Sequence, residues 1–215
     1  MQGVHRLVSR RAGGAGTVPV LVADEGVFSQ SEWIVRYADL QLAPPDRLFS
    51  GDPAELAFCR RLDAGLGPDG RRLMYSAMLP LKDLLLAFNN AGVPRWEARW
   101  LTLTYPLVTR WARRELRIGG DDEPLVRAAF DAVADQLADK PFLFGERFGA
   151  ADLTFACLAA SVLVPPEYSV ALPQPDALPG EVAEVVRAFR AHPAGAFALR
   201  LFRELRHARV LTDGR

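Results

Sequence analysis

The sequence is poor in cysteine, carries no net charge and contains no long apolar run. Of its 215 residues only two are cysteine, and 26 basic side chains balance 26 acidic ones. Cys59 and Cys157 are too few for a disulfide framework or a cysteine metal site, so we expect both to pack in a core. The neutral balance disfavours binding to nucleic acid, which needs a positive surplus facing the phosphates.

The absence of long apolar runs bears on membranes and on secretion. The longest apolar stretch, residues 153–164, falls short of the roughly 20 residues that a membrane-spanning helix needs, and predicts a buried helix. No apolar segment follows the first basic residues, so we expect neither a secretory signal nor a membrane partner. Together with the scarcity of cysteine, this predicts a cytoplasmic protein. The three histidines show no metal-ligand spacing, so no metal is expected.

What is present is a short β segment followed by helices. Half of the residues are apolar, which excludes a disordered chain. Residues 18–22 predict a strand, Asp24 to Gly26 a turn, and residues 27–28 a return strand. Ser29 and Glu32 then have the spacing of a capping box that opens a helix. We therefore expect an α+β chain, mostly α, with a tail or remnant helix and linker over 1–16, a small β-β-α domain over 17–48 and an all-helical domain over 52–210.

Helical periodicity covers the rest of the chain. Pro106 lies inside one of the predicted helices and should kink or split it. The predicted helices span residues 53–65, 69–89, 94–118, from 121 onward, 150–164, 180–191 and 193–209.

Three segments resemble cytosolic glutathione S-transferases of the bacterial type. Thr17-Val-Pro-Val-Leu-Val, a glycine turn and Gln30-Ser31-x-x-Ile-x-x-Tyr resemble the second half of the thioredoxin-like domain of that superfamily. Pro141-Phe-Leu-Phe-Gly-Glu-Arg-Phe-Gly-Ala-Ala-Asp-Leu and the later His192-Pro193 resemble its helical C-terminal domain. The resemblance implies a partial thioredoxin-like β-β-α segment followed by an all-helical C-terminal domain.

The resemblance also implies a glutathione site, with glutathione as co-substrate. It implies a cis bond between Val18 and Pro19, so that the Val18 backbone pairs with the cysteinyl part of glutathione. It assigns Gln30 and Ser31 to the γ-glutamyl end, and a helix N-terminus does favour a carboxylate through its unpaired amides. The residues by themselves fit plain helix capping by Ser29 and Ser31 as well.

A second motif concerns folding rather than chemistry. With Gly149 as the N-cap, Asp152 stands at the third helical position and can accept a hydrogen bond from the Gly149 amide. The superfamily usually has Ser or Thr where Gly149 stands, and glycine supplies no side-chain bond of its own.

The segment that carries the catalytic residue in the superfamily is not visible before residue 17. Its first βαβ unit takes roughly 30 residues, so we expect either a start at an internal Met or a degenerate member. Ser9 is the one hydroxyl ahead of residue 17 and lacks the family context. No catalytic residue is therefore assigned.

The resemblance further implies a homodimer and a pocket for a small electrophilic molecule. Met74, Tyr75, Met78 and Trp100 are candidates for that pocket, although the residues by themselves favour core or interface packing. Two other functions remain open. A non-catalytic transferase-like binding or protein-interaction module would lack thiol-conjugating activity. A helical repressor would need an N-terminal helix-turn-helix, which the strand-like residues 17–28 disfavour.

Overall fold

A computed structural model describes residues 4–207, which form a mostly helical chain with one small β-hairpin. The chain divides into two compact units, residues 1–51 and residues 52–215. The first unit contains the hairpin and the second is helical. The expected fold class, α+β with mostly α, is therefore confirmed.

The first unit is built around a two-stranded antiparallel hairpin in which Leu21 pairs with Phe28. Gly26 takes a φ of +146° at the turn, a conformation that glycine adopts without steric cost. Strand β1 was predicted from residue 18 but begins at Leu21, in keeping with the lack of an amide hydrogen on Pro19 for the ladder. The elements are α1 (Val4–Arg11), β1 (Leu21–Ala23), β2 (Gly26–Phe28), α2 (Ser31–Leu40) and a 3-10 turn (Pro44–Asp46).

The predicted capping box of Ser29 and Glu32 is wrong. Helix α2 begins at Ser31 with Gln30 as its N-cap, and no side chain caps it. The Ser29 hydroxyl instead accepts a hydrogen bond from the Ala15 amide at 3.2 Å, and Glu32 pairs with Arg36 one turn later at 3.0 Å. Because Ser29 holds the incoming linker, the helix starts one residue further along.

The second unit contains eight helices in its described part. Asp52 caps the first of them by accepting a hydrogen bond from the Ala54 amide at 2.8 Å. Helix α8 lies in the middle, packed against α3, α4, α9 and α10. The helices are α3 (Pro53–Ala64), α4 (Leu66–Met78), α5 (Lys82–Asn89), α6 (Arg95–Glu115), α7 (Glu123–Leu137), α8 (Ala150–Leu163), α9 (Gly180–Ala191) and α10 (Pro193–Leu205).

Two predicted helices need correction, and one of the two outcomes expected at Pro106, a split, is absent. The helix expected over residues 69–89 is two helices, since α4 ends at Met78 and α5 begins at Lys82. Pro80 lies in the break, where it lacks the amide that would continue α4. Pro106 does not split α6, which continues to Glu115. Helix α10 ends at Leu205 rather than at residue 209, which lies outside the described residues.

The core of the second unit is aromatic at its centre. Phe130 on α7 is fully buried and meets Phe155 on α8 and Phe189 on α9 edge to face, with ring centroids 5.4 and 4.9 Å apart. Helix α8 is mostly buried, as the apolar run over residues 153–164 predicts. The expectation that both cysteines pack in the core holds for Cys59 but is wrong for Cys157, which lies on the exposed face of α8. The edge-to-face contacts join three consecutive helices at one point of the core.

Candidate functional site

One end of the hairpin brings together the residues that the sequence analysis singled out. The bond between Val18 and Pro19 is cis, as the resemblance implied. In an antiparallel pair with Leu21 opposite Phe28, residues before Leu21 lie beside residues after Phe28. Two hydrogen bonds extend this pairing, since the Ala15 amide donates to the Ser29 hydroxyl at 3.2 Å and the Thr17 hydroxyl to the Ser29 carbonyl at 3.4 Å.

The start of helix α2 lies at this same end. Gln30 is the N-cap in extended conformation, and its carbonyl accepts the Ile34 amide at 3.1 Å. The side chains of Gln30 and Ser31 are exposed, and no side chain caps the helix. An uncapped N-terminus directs backbone N–H groups and the positive end of the helix dipole toward solvent. The arrangement suits a carboxylate.

A cation that sequence reasoning missed lies close to this end. The side chain of Arg10, on α1, passes beside Gly16, where an added Cβ would come within 3.1 Å of its Nε. This places a positive charge next to the segment that leads into Val18. No sequence signal predicted Arg10, because its position depends on how α1 folds back onto the linker.

The hydroxyl of Ser9 has a structural role. Ser9 is buried, with 3% of its surface exposed, and its hydroxyl accepts a hydrogen bond from the Gly16 amide at 3.0 Å. Its carbonyl accepts the Gly14 amide at 2.8 Å. A Cβ on Gly14 would lie 2.7 Å from the Ser9 hydroxyl oxygen, so this close approach requires glycine. Ser9 therefore fixes the linker that leads to the cis bond.

The far end of α2 is tied to the hairpin turn. Tyr37 donates a hydrogen bond to Glu25 at 2.8 Å, and its ring lies 5.0 Å from that of Phe28. The hydrogen bond lowers the pKa of the exposed Glu25 and raises that of Tyr37. The contact fixes the direction of α2, and with it the direction of the amides at its start.

One of the four candidates for a second substrate pocket lines a cavity of the second unit. A pocket of about 720 Å³ lies between the α4–α5 junction and the start of α9, within the second unit. Met74 lines it together with Leu73, Pro80 and Val185, whereas Tyr75, Met78 and Trp100 are not among its lining residues. Tyr75 and Trp100 are exposed, and Met78 is half-buried.

The expected cap of α8 is present. Asp152, 1% exposed, accepts hydrogen bonds from the amides of Gly149 and Leu143, each at 2.8 Å. Burial raises the pKa of Asp152, the two amides lower it, the Glu55 carboxylate raises it and Arg200 lowers it, with burial the largest effect. One carboxylate thus joins the helix start to the loop that precedes it, which is a folding role.

The described residues contain no helix long and apolar enough to cross a membrane. Over the same residues, 4–207, no three side chains of His, Cys, Asp or Glu are grouped so that they could hold a metal ion.

Comparison with known proteins finds a match within the helical unit. The family model described as "Glutathione S-transferase, C-terminal domain" matches residues 121–192. The chain is also similar to a glutathione S-transferase from Methylobacterium radiotolerans, solved in complex with glutathione sulfonate. That match has 18% identity and a TM-score of 0.42, and covers 96% of this chain and 80% of the other. No curated protein matches the chain. The family match agrees with the expected superfamily over residues 121–192.

Proposed function

We propose that this chain, whose residues 121–192 match the C-terminal domain of glutathione S-transferases, binds glutathione at the hairpin end of its first unit. The observation that carries the proposal is the juxtaposition there of the cis Val18–Pro19 bond and the uncapped start of α2. Each feature suits a different part of the tripeptide. Because one feature precedes β1 and the other follows β2, both lie at the same end of the hairpin, where the two parts of the tripeptide can be bound together.

The γ-glutamyl carboxylate would accept hydrogen bonds from the first amides of α2 and from the Ser31 hydroxyl. The Gln30 side-chain oxygen would accept a hydrogen bond from the α-amino group. The backbone amide and carbonyl of Val18 would pair with the cysteinyl residue in the manner of an added strand. Arg10 supplies a nearby positive charge that attracts the anionic tripeptide.

The reaction proposed for the bound tripeptide is conjugation to a small electrophilic molecule. The glutathione thiolate attacks an electrophilic carbon, a C–S bond forms and the leaving group departs with its electron pair. Such a site accelerates the step by lowering the pKa of the thiol, because the thiolate is the nucleophile. The activating residue is unassigned, and the homodimer and the cytoplasmic location stay predictions.

The alternative function, a non-catalytic binding module, has one observation in its favour. Ser9, the hydroxyl that the sequence offers ahead of the cis bond, is buried and bonded to the linker. It is therefore not placed to donate a hydrogen bond to a thiolate. A module of this kind would bind glutathione or a partner protein without activating the thiol.

Isothermal titration of glutathione into the full chain tests the binding proposal. We expect Ser31→Ala to weaken binding about tenfold, which corresponds to about 1.4 kcal/mol. The matched control is Ser169→Ala, which removes an exposed serine hydroxyl from the second unit. Wild-type protein that fails to bind at millimolar glutathione, or equal affinity in the Ser31 variant, would overturn the proposal.

A second measurement separates the enzyme from the module. The ultraviolet difference absorbance of the thiolate, followed against pH, reports the pKa of the thiol in bound glutathione. An enzyme lowers that pKa and conjugates a chromogenic aryl halide faster than free glutathione does. A thiol pKa equal to that of free glutathione, with no conjugation, would favour the module.

A further inference from the structure

Helix α6 is attached to the second unit along one face. Tyr105 and Ala112 on this inner face are buried, and α6 packs on α5. The Tyr105 hydroxyl donates a hydrogen bond to the Leu79 carbonyl at 2.8 Å. Away from the inner face, most side chains of the helix are exposed.

An exposed apolar stripe, the outer stripe, runs along one side of α6. At about 100° per residue, its members fall within an arc of about 80°. They are Trp96, Trp100, Leu103, Leu107 and Trp111. Leu103 is 79% exposed and Leu107 71%, and the three tryptophans are between 48% and 59% exposed. Three of the four tryptophans of the chain therefore lie in one exposed patch, and such a patch normally marks a binding surface.

A row of exposed arginines, the arginine row, borders the outer stripe along one edge. Its members fall within an adjacent arc of about 60°, and they are Arg95, Arg99, Arg110 and Arg113. From the first to the last of them the row is about 27 Å long. Helix α6 has five arginines against two glutamates and is positive by three charges, whereas the whole chain is neutral. Positive charge is thus concentrated on the helix that carries the exposed apolar stripe.

We propose that α6 binds the surface of an anionic phospholipid bilayer, with the helix axis in the plane of the membrane. Leu103 and Leu107, the most exposed members of the stripe, enter the boundary of the acyl chains. The tryptophan rings lie at the level of the headgroups, which their amphipathic character suits. The arginine row reaches the lipid phosphates, while its aliphatic stems cover apolar surface. The proposal goes beyond glutathione binding and does not depend on it.

The expectation of no membrane partner rested on the length of the apolar runs. Run length identifies a helix that spans a bilayer, and no helix among the described residues is long and apolar enough to do so. It does not detect a helix that lies in the interface. In such a helix apolar and basic residues are interspersed along the chain and separate only on the helix surface.

A protein partner fits the outer stripe less well. In an antiparallel pair of α6 helices across a two-fold axis, both arginine rows would lie on the same side of the contact, where like charges repel. An acidic protein would need a groove that accepts three tryptophans, and acids placed along about 27 Å. A bilayer supplies negative charge over its whole surface, and its lipids rearrange around the side chains.

Sedimentation of the full chain with vesicles tests the proposal. We expect the wild type to sediment with phosphatidylserine and phosphatidylcholine in equal parts, and to stay in solution with pure phosphatidylcholine. Leu103→Glu should weaken binding about tenfold or more, because it places a charge in the middle of the stripe. Leu125→Glu, at a 52% exposed leucine on α7, is the control. A wild type that stays in solution with the mixed vesicles, or equal losses in the two variants, overturns the proposal.

A second pair of variants tests the arginine row. Arg99→Gln combined with Arg110→Gln should weaken binding about 30-fold, at about fivefold for each arginine near an anionic surface. Arg71→Gln combined with Arg203→Gln removes two exposed arginines from α4 and α10 and lowers the net charge by the same amount. This control should retain most of the binding. Equal losses would show attraction by net charge alone and would contradict a site on α6.

Tryptophan emission shows which face meets the lipid. In a Trp33→Phe background, the three remaining tryptophans all lie in the outer stripe. Their emission should shift to shorter wavelength with the mixed vesicles, and lipids brominated in the acyl chain should quench it. Sedimentation without either change would place the contact on another face and overturn the proposal. A wild type that stays in solution, and whose molar mass by light scattering halves in Leu103→Glu, would show instead that a second copy covers the stripe.

Discussion

Different forces stabilise the interior of each of the two units. Over residues 6–51 of the first unit, the buried side chains are those of Ser9 and Asp39. The fully buried large apolar side chains all lie in the second unit, with Phe130, Phe155 and Phe189 among them. Apolar burial therefore stabilises the helical unit, and hydrogen bonds that backbone amides donate to side-chain oxygens organise the hairpin unit.

This difference has a functional consequence. A two-stranded hairpin with little buried apolar surface is marginal by itself. The amides at the start of α2 are uncapped, which leaves donors for a ligand at the expense of local stability. The proposed binding groups thus lie in the unit with the weaker packing, and residues 121–192, which match the family model, lie in the unit with the stronger packing.

The largest effect is expected in the aromatic core. Phe130→Ala should lower the free energy of unfolding by about 3–5 kcal/mol, because it leaves a cavity where three helices meet. Chemical denaturation followed by tryptophan fluorescence measures the change. Leu125→Ala, on the exposed face of the same helix, should change stability by less than about 0.5 kcal/mol. Equal losses in the two variants would contradict a core centred on Phe130.

The second largest loss of stability is expected at the N-terminal cap of α8. Asp152→Ala should destabilise the helical unit by about 2–4 kcal/mol, because the amides of Gly149 and Leu143 both lose their acceptor. Asp152→Asn keeps one oxygen acceptor and should lose about half as much. Thermal unfolding of both variants measures this, and an unchanged melting temperature in Asp152→Ala would refute the capping role.

Asp152 also predicts the direction in which the free energy of unfolding changes with pH. Burial raises the pKa of Asp152 above its ordinary 3.8, so the folded chain binds this proton more tightly than the unfolded chain does. Its contribution to stability is therefore fully present below pH 3.8 and lost as the pH rises through the raised value. Relative to Asp152→Asn, the wild type should become less stable as the pH rises across that window. A constant difference between the two denaturation profiles would contradict the raised pKa.

The helical unit was the easier part to predict. The apolar run of α8 and the proline and acid signals at the starts of α3 and α7 are local, and these helices begin within two residues of the prediction. The effect of a proline on helix continuity was harder to predict. Pro80 ends α4 whereas Pro106 is accommodated within α6, where Thr102 and Thr104 donate to carbonyls one turn earlier. The sequence pattern contained no signal that separated the two.

Prediction of the candidate site was limited for a related reason. Val18, Pro19, Gln30 and Ser31 could be named because they fall within a short motif whose order along the chain is distinctive. The role of Ser29 was missed because its partner, the Ala15 amide, belongs to the linker. Arg10 was missed because its place depends on packing between α1 and Gly16. Contacts between segments separated by a linker leave no periodic signal in the sequence.

A moderate effect is expected from the polar centre of the first unit. Asp39 accepts hydrogen bonds from the amides of Leu48 and Phe49. Asp39→Ala should cost the first unit about 1–2 kcal/mol. Hydrogen exchange at the Leu48 and Phe49 amides should accelerate, while exchange in α8 stays unchanged. Accelerated exchange throughout α8 would show that the two units unfold together and would weaken the contrast between them.

The smallest change in stability is expected from a variant at the start of α2. This variant distinguishes the role of the α2 amides in folding from their proposed role in binding. Gln30→Ser should stabilise α2 by about 0.5–1 kcal/mol, because a serine oxygen at the N-cap accepts an amide that Gln30 leaves uncapped. If those amides hold the γ-glutamyl carboxylate, the same change should weaken glutathione binding about tenfold, since cap and ligand compete for one set of donors. Gln30→Ala is the matched control, because it removes the glutamine without supplying a cap. Stronger capping with undiminished affinity, measured by thermal unfolding and calorimetry on the same samples, would place the ligand elsewhere.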